Sequence, residues 1–283
     1  MPVTIPAVTP VTRRTRIVLS IDLVLSIVAG SILYFLSSDT DEYFAWTIKL
    51  PLTAAFLGAG YLGAVAALIP SYWVREWRRL RVLVVIGFTL TGVTALVTLW
   101  HIGEFHLGAG SGTARFAGWA WFVVYVTIPV LLAAVFVAQE RGGGRNEYEP
   151  VEPLGAGLRG MFLAQGVVTT VIGAGLVFWP SAFDDLWPWP MPALAAGAVG
   201  AWLLTIAAGS WWTLREGDWV AIRSSVPGLM AYLLFIVIAA LRYNGTFDVH
   251  QWQFWTFFGA IAVSVLGFLL GGRAQERRRA VPA

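Results

Sequence analysis

Long apolar segments that contain almost no charged residues alternate with short polar segments along the whole chain. A helix needs about 20 residues to cross ~30 Å of hydrocarbon, and eight of the apolar segments have about that length. Transmembrane β-strands would instead alternate apolar and polar positions over ~10 residues. The pattern therefore predicts an all-α integral membrane protein with eight transmembrane helices. The predicted spans are residues 17–36, 50–73, 82–100, 116–137, 160–179, 191–213, 224–241 and 252–270.

The composition supports this class. Hydrophobic residues make up 58% of the chain and charged residues 12%, whereas soluble domains average about 45–50% and about 25%. Because so little charge cannot cover the surface of a soluble fold, the composition excludes a soluble enzyme, a nucleic-acid-binding module and a disordered chain. The lipid bilayer is the expected partner. The chain has no cysteine, which excludes iron–sulfur clusters and other thiolate-bound cofactors.

The basic residues are sorted between the two sets of connections. Sixteen of the nineteen lie in the loops 75–81, 139–159 and 215–223 and in the two terminal segments. Basic residues concentrate in cytoplasmic loops, so this distribution predicts that both termini are cytoplasmic and that the number of spans is even. Arg strongly outnumbers Lys, which is typical of a GC-rich bacterial genome. We therefore expect a multi-pass protein of a bacterial cytoplasmic membrane.

The chain also repeats a set of landmarks. Ala-Gln-Glu-Arg occurs at 138–141 and again at 274–277, each time at the end of a fourth span, and Gly-x-Phe follows the third span of each half at 103–105 and 245–247. Chance similarity among apolar helices would not reproduce loop residues. The sequence therefore predicts two parallel four-helix repeats, related by a pseudo-twofold axis along the membrane normal. The predicted organisation is an N-terminal tail at 1–15, a first repeat at 16–141, a linker at 142–157, a second repeat at 158–277 and a C-terminal tail at 278–283.

Small residues recur at about one-turn spacing on the second and sixth spans. Such faces let helix backbones approach closely in lipid, so we expect these two spans to pack against each other across the axis. The residues are Ala59, Gly63 and Ala67 on the second span, and Gly197, Ala201, Thr205 and Gly209 on the sixth.

Fifteen tryptophans are many for this length, and ten of them lie near span ends. That position is typical of an interfacial belt. A stacking site for a sugar, a quinone or haem is the alternative interpretation.

Asp22 is the one formally charged residue inside a predicted span, and the repeat aligns it with Gln165. Acids within a membrane are costly and usually face a bundle interior or a wet cavity. One interpretation is a proton or cation site near the cytoplasmic mouth, with Gln165 helping to coordinate. The alternative is that Asp22 lies shallow enough to pair with a cytoplasmic arginine.

A second candidate site lies on the opposite face, where the third and seventh spans end. Imidazole and carboxylate groups together bind Zn²⁺ or other divalent ions, or relay protons, although the spacing matches no established metal signature. An ordinary polar loop is the alternative. No histidine lies within a span, which argues against haem. The five residues of this candidate site are His101, Glu104, His106, Asp248 and His250.

Three functions fit these features. The first is a small transporter or channel whose pathway lies between the repeats. The second is a non-catalytic membrane subunit or scaffold that works with other membrane subunits. The third is a membrane enzyme with an outward-facing His/carboxylate metal site. The chain lacks Gly-x-Ser-x-Gly, His-Glu-x-x-His and P-loop motifs, so the sequence does not favour an enzyme.

Overall fold

The computed structural model describes residues 9–144 and 150–280, and these residues form a helical fold without strands beyond two isolated β-bridges. The predicted tails at 1–15 and 278–283 and the predicted linker at 142–157 fall partly outside the described residues. The main helices are α1 (Arg13–Phe35), α2 (Pro51–Ser71), α3 (Arg81–Trp100), α4 (Gly112–Gln139), α5 (Ala156–Phe178), α6 (Ala193–Glu216), α7 (Val226–Arg242) and α8 (Trp252–Ala280). Single turns lie at Thr40–Tyr43, Trp77–Arg79, Ile102–Glu104, Glu140–Gly144, Pro180–Phe183, Asp184–Leu186, Trp219–Ile222 and Asn244–Thr246.

Seven of the described helices are long and apolar enough to cross a membrane. The structure thus confirms an all-α fold whose helices suit a polytopic membrane protein. The exception is α7, which has 17 residues and therefore extends about 25 Å at 1.5 Å per residue. It begins at Val226 rather than at Ser224, because Pro227 lies in its first turn and starts the helix there. The eighth span therefore stays a prediction.

Local chemistry sets several helix ends. The Thr12 hydroxyl accepts a hydrogen bond from the Thr15 backbone N–H at the start of α1, and Ser111 caps α4 in the same way through Ala114. Each hydroxyl satisfies one of the N–H groups that lack a partner in the first turn. Gly217 ends α6 with φ at +62°, a left-handed conformation that glycine adopts without steric cost.

The central helices α2 and α6 are packed on both sides. Within each half, α1 lies along α2 and α5 along α6, while between the halves α7 packs on α2 and α3 packs on α6. The small faces of α2 and α6, which were expected to meet each other, instead receive these crossing helices, and α2 and α6 touch beside them, where Trp202 lies against Gly60 and Tyr61. Gly63 lies against Gly228 and Tyr232 of α7, and Gly197 lies against Val97 of α3. Because glycine has no side chain, Gly63 and Gly197 leave room for the third helix of the other half.

The segments before α1 and α5, called the entering segments, contact the bundle in the same way. Val11 N–H donates to Arg75 O at 2.9 Å, and Leu154 N–H donates to Gly217 O at 3.0 Å. Each contact belongs to one of the isolated β-bridges, Pro10 with Glu76 and Pro153 with Asp218.

The glutamines of the repeated tetrapeptide hold these entering segments. Gln139 accepts from Thr12 N–H at 2.7 Å and donates to Pro10 O at 3.2 Å. Gln275 accepts from Gly155 N–H at 3.4 Å and donates to Pro153 O at 2.7 Å. Both glutamines are buried. The repeated residue therefore performs the same contact at two places in the fold.

Candidate functional site

A cavity of about 610 Å³ lies between the two halves of the chain, and each of the eight main helices contributes to its wall. On α4 the lining residues run from Thr113 to Ile128, which corresponds to about 22 Å along the helix axis. The cavity is therefore elongated in the direction of the helices. Its volume lies in the range of about 300–1,000 Å³ that is typical of small-molecule sites.

The cavity reaches the surface of the bundle between α1 and α4. Val28 of α1 and Phe116 of α4 both line the cavity, and they are 52% and 75% exposed. Large apolar side chains that are this exposed on a membrane helix face the hydrocarbon. The wall of the cavity thus extends to exposed apolar surface at this position, which is called the lateral opening.

The structure brings Asp22 and Gln165, the two predicted intramembrane polar residues, to the wall of this one cavity. The Asp22 carboxylate points towards α3, where a Cβ added to Gly87 would lie 3.7 Å from Asp22 Oδ2. Among the described residues, no hydrogen bond or ion pair to Asp22 is formed. The Gln165 side chain accepts a hydrogen bond from Ser210 Oγ at 3.3 Å.

Arg16, the arginine closest in sequence to Asp22, has other partners. The Arg16 guanidinium donates to Tyr72 O at 2.7 Å and to Val74 O at 3.0 Å. These carbonyl groups follow the end of α2, so Arg16 serves to hold that end. The geometry thus leaves the Asp22 carboxylate facing the cavity.

An aromatic cluster, Tyr61, Trp121, Tyr125, Trp202 and Tyr232, surrounds the middle of the cavity. The Tyr61 and Tyr125 hydroxyls are hydrogen-bonded to each other. Trp121 lies on Tyr125 with ring centroids 4.2 Å apart, and Trp202 meets Tyr61 edge-to-face at 5.1 Å. The Tyr232 hydroxyl is buried and has no hydrogen-bond partner among the described residues. The cluster therefore offers aromatic surface to a ligand.

The sequence interpretation missed this cluster. A signal was present, because Tyr61 and Trp202 are separated by the same 141 residues as Leu50-Pro51 and Met191-Pro192. Aromatic residues at equivalent depths, far from the span ends, do not fit an interfacial belt. Tyr61 and Trp202 contact each other at the boundary between the halves, where a pseudo-twofold axis would run.

The five residues of the predicted outer site form three separate sets of contacts. His101 Nδ1 and Glu104 Oε1 are 2.9 Å apart, so these two residues form a pair. The His106 ring instead hydrogen-bonds to Phe44 O through Nδ1 at 3.0 Å and to Thr47 Oγ1 through Nε2 at 3.1 Å. Both ring nitrogens of His106 are thus engaged in holding the loop after α1.

The remaining two outer residues form a local turn. Asp248 Oδ1 accepts a hydrogen bond from His250 N–H at 2.9 Å. Within residues 9–144 and 150–280, no group of three or more His, Asp or Glu side chains comes together in a way that could hold a metal ion. The metal or proton site on this face stays a prediction.

Buried ion pairs join the two halves at the end of the bundle that holds the entering segments. Arg78 pairs with Asp218, and Arg81 pairs with Glu140 at 2.8 Å and with Glu216 at 3.1 Å. The pairs with Asp218 and Glu216 cross from the first half to the second. Because Val82, next to Arg81, lines the cavity, this network lies at the end of the cavity and ties its two walls together.

Comparisons with protein-family models, with curated proteins and with solved structures give no match for this chain. What the site can do follows from the chemistry of its wall. Apolar and aromatic side chains form most of the wall, hydroxyl groups are scattered over it, and Asp22 supplies the one carboxylate that the described residues place there. Such a wall suits a ligand that is mainly apolar and carries a polar or charged group.

Proposed function

We propose that the chain is an eight-span transporter or channel of a bacterial cytoplasmic membrane, and that a small solute crosses through the cavity between its two halves. The cavity itself carries this proposal. It is elongated along the helices, draws on all eight of them, and holds both Asp22 and Gln165. A scaffold has no need of a long internal cavity with a carboxylate in its wall.

The equivalent contacts of the two halves support a duplicated architecture. Gln139 and Gln275 make corresponding pairs of hydrogen bonds to corresponding entering segments. The third helix of each half packs on the second helix of the other half. In parallel-repeat transporters the substrate site lies between such halves, which is the location of this cavity.

The positions of the basic residues support cytoplasmic termini. The segment before α1, the loops 75–81 and 215–223 and the end of α4 meet at one end of the bundle, through the β-bridges and the ion pairs. Most of the basic residues that predict cytoplasmic termini lie in these segments or next to them. With seven long apolar helices and α7 at 17 residues as the eighth span, both termini would lie on that side.

Accessibility of the cavity from the two sides of the membrane tests the proposal. The chain contains no cysteine, so Ala64→Cys, on the cavity wall in α2, introduces a single thiol. Membrane-impermeant methanethiosulfonate reagents are applied to right-side-out and to inside-out vesicles. A transport pathway predicts modification of Ala64→Cys in both preparations.

Ala262→Cys is the matched control, because Ala262 is exposed on α8 and does not line the cavity. This thiol should face lipid and resist the reagents in both preparations. Modification of Ala64→Cys from one side alone, or from neither, would contradict a pathway and favour a scaffold.

A further inference from the structure

The charge on the cavity wall is of one sign. Asp22 lines the cavity, whereas no Lys, Arg or His of the described residues does. No described side chain forms an ion pair or a hydrogen bond with the Asp22 carboxylate. A carboxylate that is removed from water without a partner is energetically costly, so a positively charged ligand would find an electrostatic partner here that the protein itself does not supply.

The rest of the wall argues for an organic cation rather than a metal ion. Hard metal ions need several oxygen ligands at about 2.0–2.6 Å, and the described wall offers a single carboxylate among mostly apolar side chains. Its volume of about 610 Å³ is far larger than one ion requires. The aromatic cluster supplies π faces, which attract organic cations.

The lateral opening adds a condition on the ligand. Val28 and Phe116 connect the cavity to the surface that faces hydrocarbon. A molecule that partitions into the bilayer reaches this opening, whereas a strongly hydrated ion does not. The ligand therefore combines an apolar body with one positive charge.

From these three observations we infer that the cavity binds a small amphipathic organic cation, whose charge pairs with Asp22 and whose apolar body packs against the aromatic cluster. This inference deepens the proposed function, and it rests on that function only for the claim that the cation is carried across the membrane. Binding is tested separately from transport.

Two ions of the same shape and opposite charge provide the test. Tetraphenylphosphonium and tetraphenylborate are titrated into the purified full-length protein in detergent, with empty micelles as the reference. The wild type should bind the cation at least roughly tenfold more tightly than the anion. Asp22→Asn should weaken cation binding by roughly tenfold or more while anion binding stays equal or becomes tighter.

Asp185→Asn is the matched control, since it removes one carboxylate that is exposed and lies outside the cavity. Its cation affinity should stay within about twofold of the wild type, because an exposed charge is screened by solvent. Retained anion binding shows that the Asp22→Asn cavity is folded. If Asp22→Asn binds neither ion, circular dichroism is used to check its fold. The binding result is used as evidence only if the helix content of the variant is native.

The same preference should appear in the reactivity of Ala64→Cys. A trimethylammonium methanethiosulfonate should modify this thiol faster than a sulfonate reagent, beyond the ratio measured with a free thiol in solution, and Asp22→Asn should abolish the excess. Equal affinity for the two tetraphenyl ions, or unchanged cation binding in Asp22→Asn, would overturn the inference while leaving a two-sided pathway intact. Selective cation binding with one-sided accessibility would leave the binding site intact and overturn transport.

Discussion

The Asp218 carboxylate joins three segments of the chain, and Asp218→Asn should reveal its contribution to stability. The side chain is fully buried, pairs with Arg78, and accepts from the backbone N–H groups of Val151, Glu152 and Val220 at 2.9, 3.1 and 3.0 Å. Asn preserves the size of the side chain and removes its charge. Removing one partner of a buried ion pair costs about 3–5 kcal/mol, so we expect a decrease of that size in the free energy of unfolding.

The reverse change should cost less. Arg78→Met removes the cation but leaves the Asp218 carboxylate with its three backbone donors, so the expected loss is about 1–3 kcal/mol. Adding Arg78→Met to Asp218→Asn should restore at least about 1 kcal/mol, because the double variant no longer buries a guanidinium beside a neutral amide. Arg75→Met is the control, since Arg75 is exposed, and it should change stability by less than about 0.5 kcal/mol.

The four variants can be compared by titrating sodium dodecyl sulfate into mixed micelles and following tryptophan fluorescence, with refolding by dilution as the check on reversibility. The fifteen tryptophans make this signal strong. The reasoning would be refuted if the losses of the two single variants added up in the double variant. That result would mean that the charge of Asp218 does not compensate that of Arg78.

Other contacts lead to further predictions of stability, which the same detergent titration measures. Gln139→Ala and Gln275→Ala should each cost about 1–3 kcal/mol, with the larger loss for Gln139→Ala because Gln139 also accepts from the Thr15 hydroxyl at 3.1 Å; a negligible loss in either variant would argue against equivalent roles in two repeats. Tyr232→Phe should leave the unliganded protein as stable as before or more stable, because its hydroxyl has no partner among the described residues; a loss above about 1 kcal/mol would contradict this. Gly228→Ala should cost about 1–3 kcal/mol, because a Cβ there would lie 2.5 Å from an alanine methyl group of α2. Gly92→Ala is its control, has open space around it, and should be neutral or stabilising by up to about 1 kcal/mol; equal effects of the two glycine changes would refute the packing argument.

The helices were predictable because their signal is local. Each of the eight apolar segments contains or overlaps one of the main helices, since length and apolarity act within a segment. Which helix packs on which is not local. Small residues at Gly63 and Gly197 correctly indicated close approach, but the partner depends on shape complementarity over whole helices, and α7 and α3 fit these positions.

The candidate site was predictable only for its polar residues. Asp22 stood out because a charge inside an apolar span is unusual, and the repeat led to Gln165; both line the cavity. The aromatic cluster was missed, because a single aromatic residue fits an apolar helix wherever it faces; Tyr61 was marked only by its offset from Trp202, and Tyr232 by nothing in the sequence. The cavity is the space that eight packed helices leave unfilled, and no single segment encodes that space.

One crossing contact of the network between the halves, the pair between Arg81 and Glu216, has second partners on both sides. Arg81 contacts Glu216 of the other half, but it also pairs with Glu140 of its own half at 2.8 Å. Glu216 likewise accepts from Trp212 Nε1 within its own helix at 3.1 Å. A buried charge that loses its partner costs several kcal/mol, and these second partners reduce that cost for both residues. If transport requires the halves to move apart at this end of the cavity, the pair between Arg81 and Glu216 can therefore open without leaving either group alone.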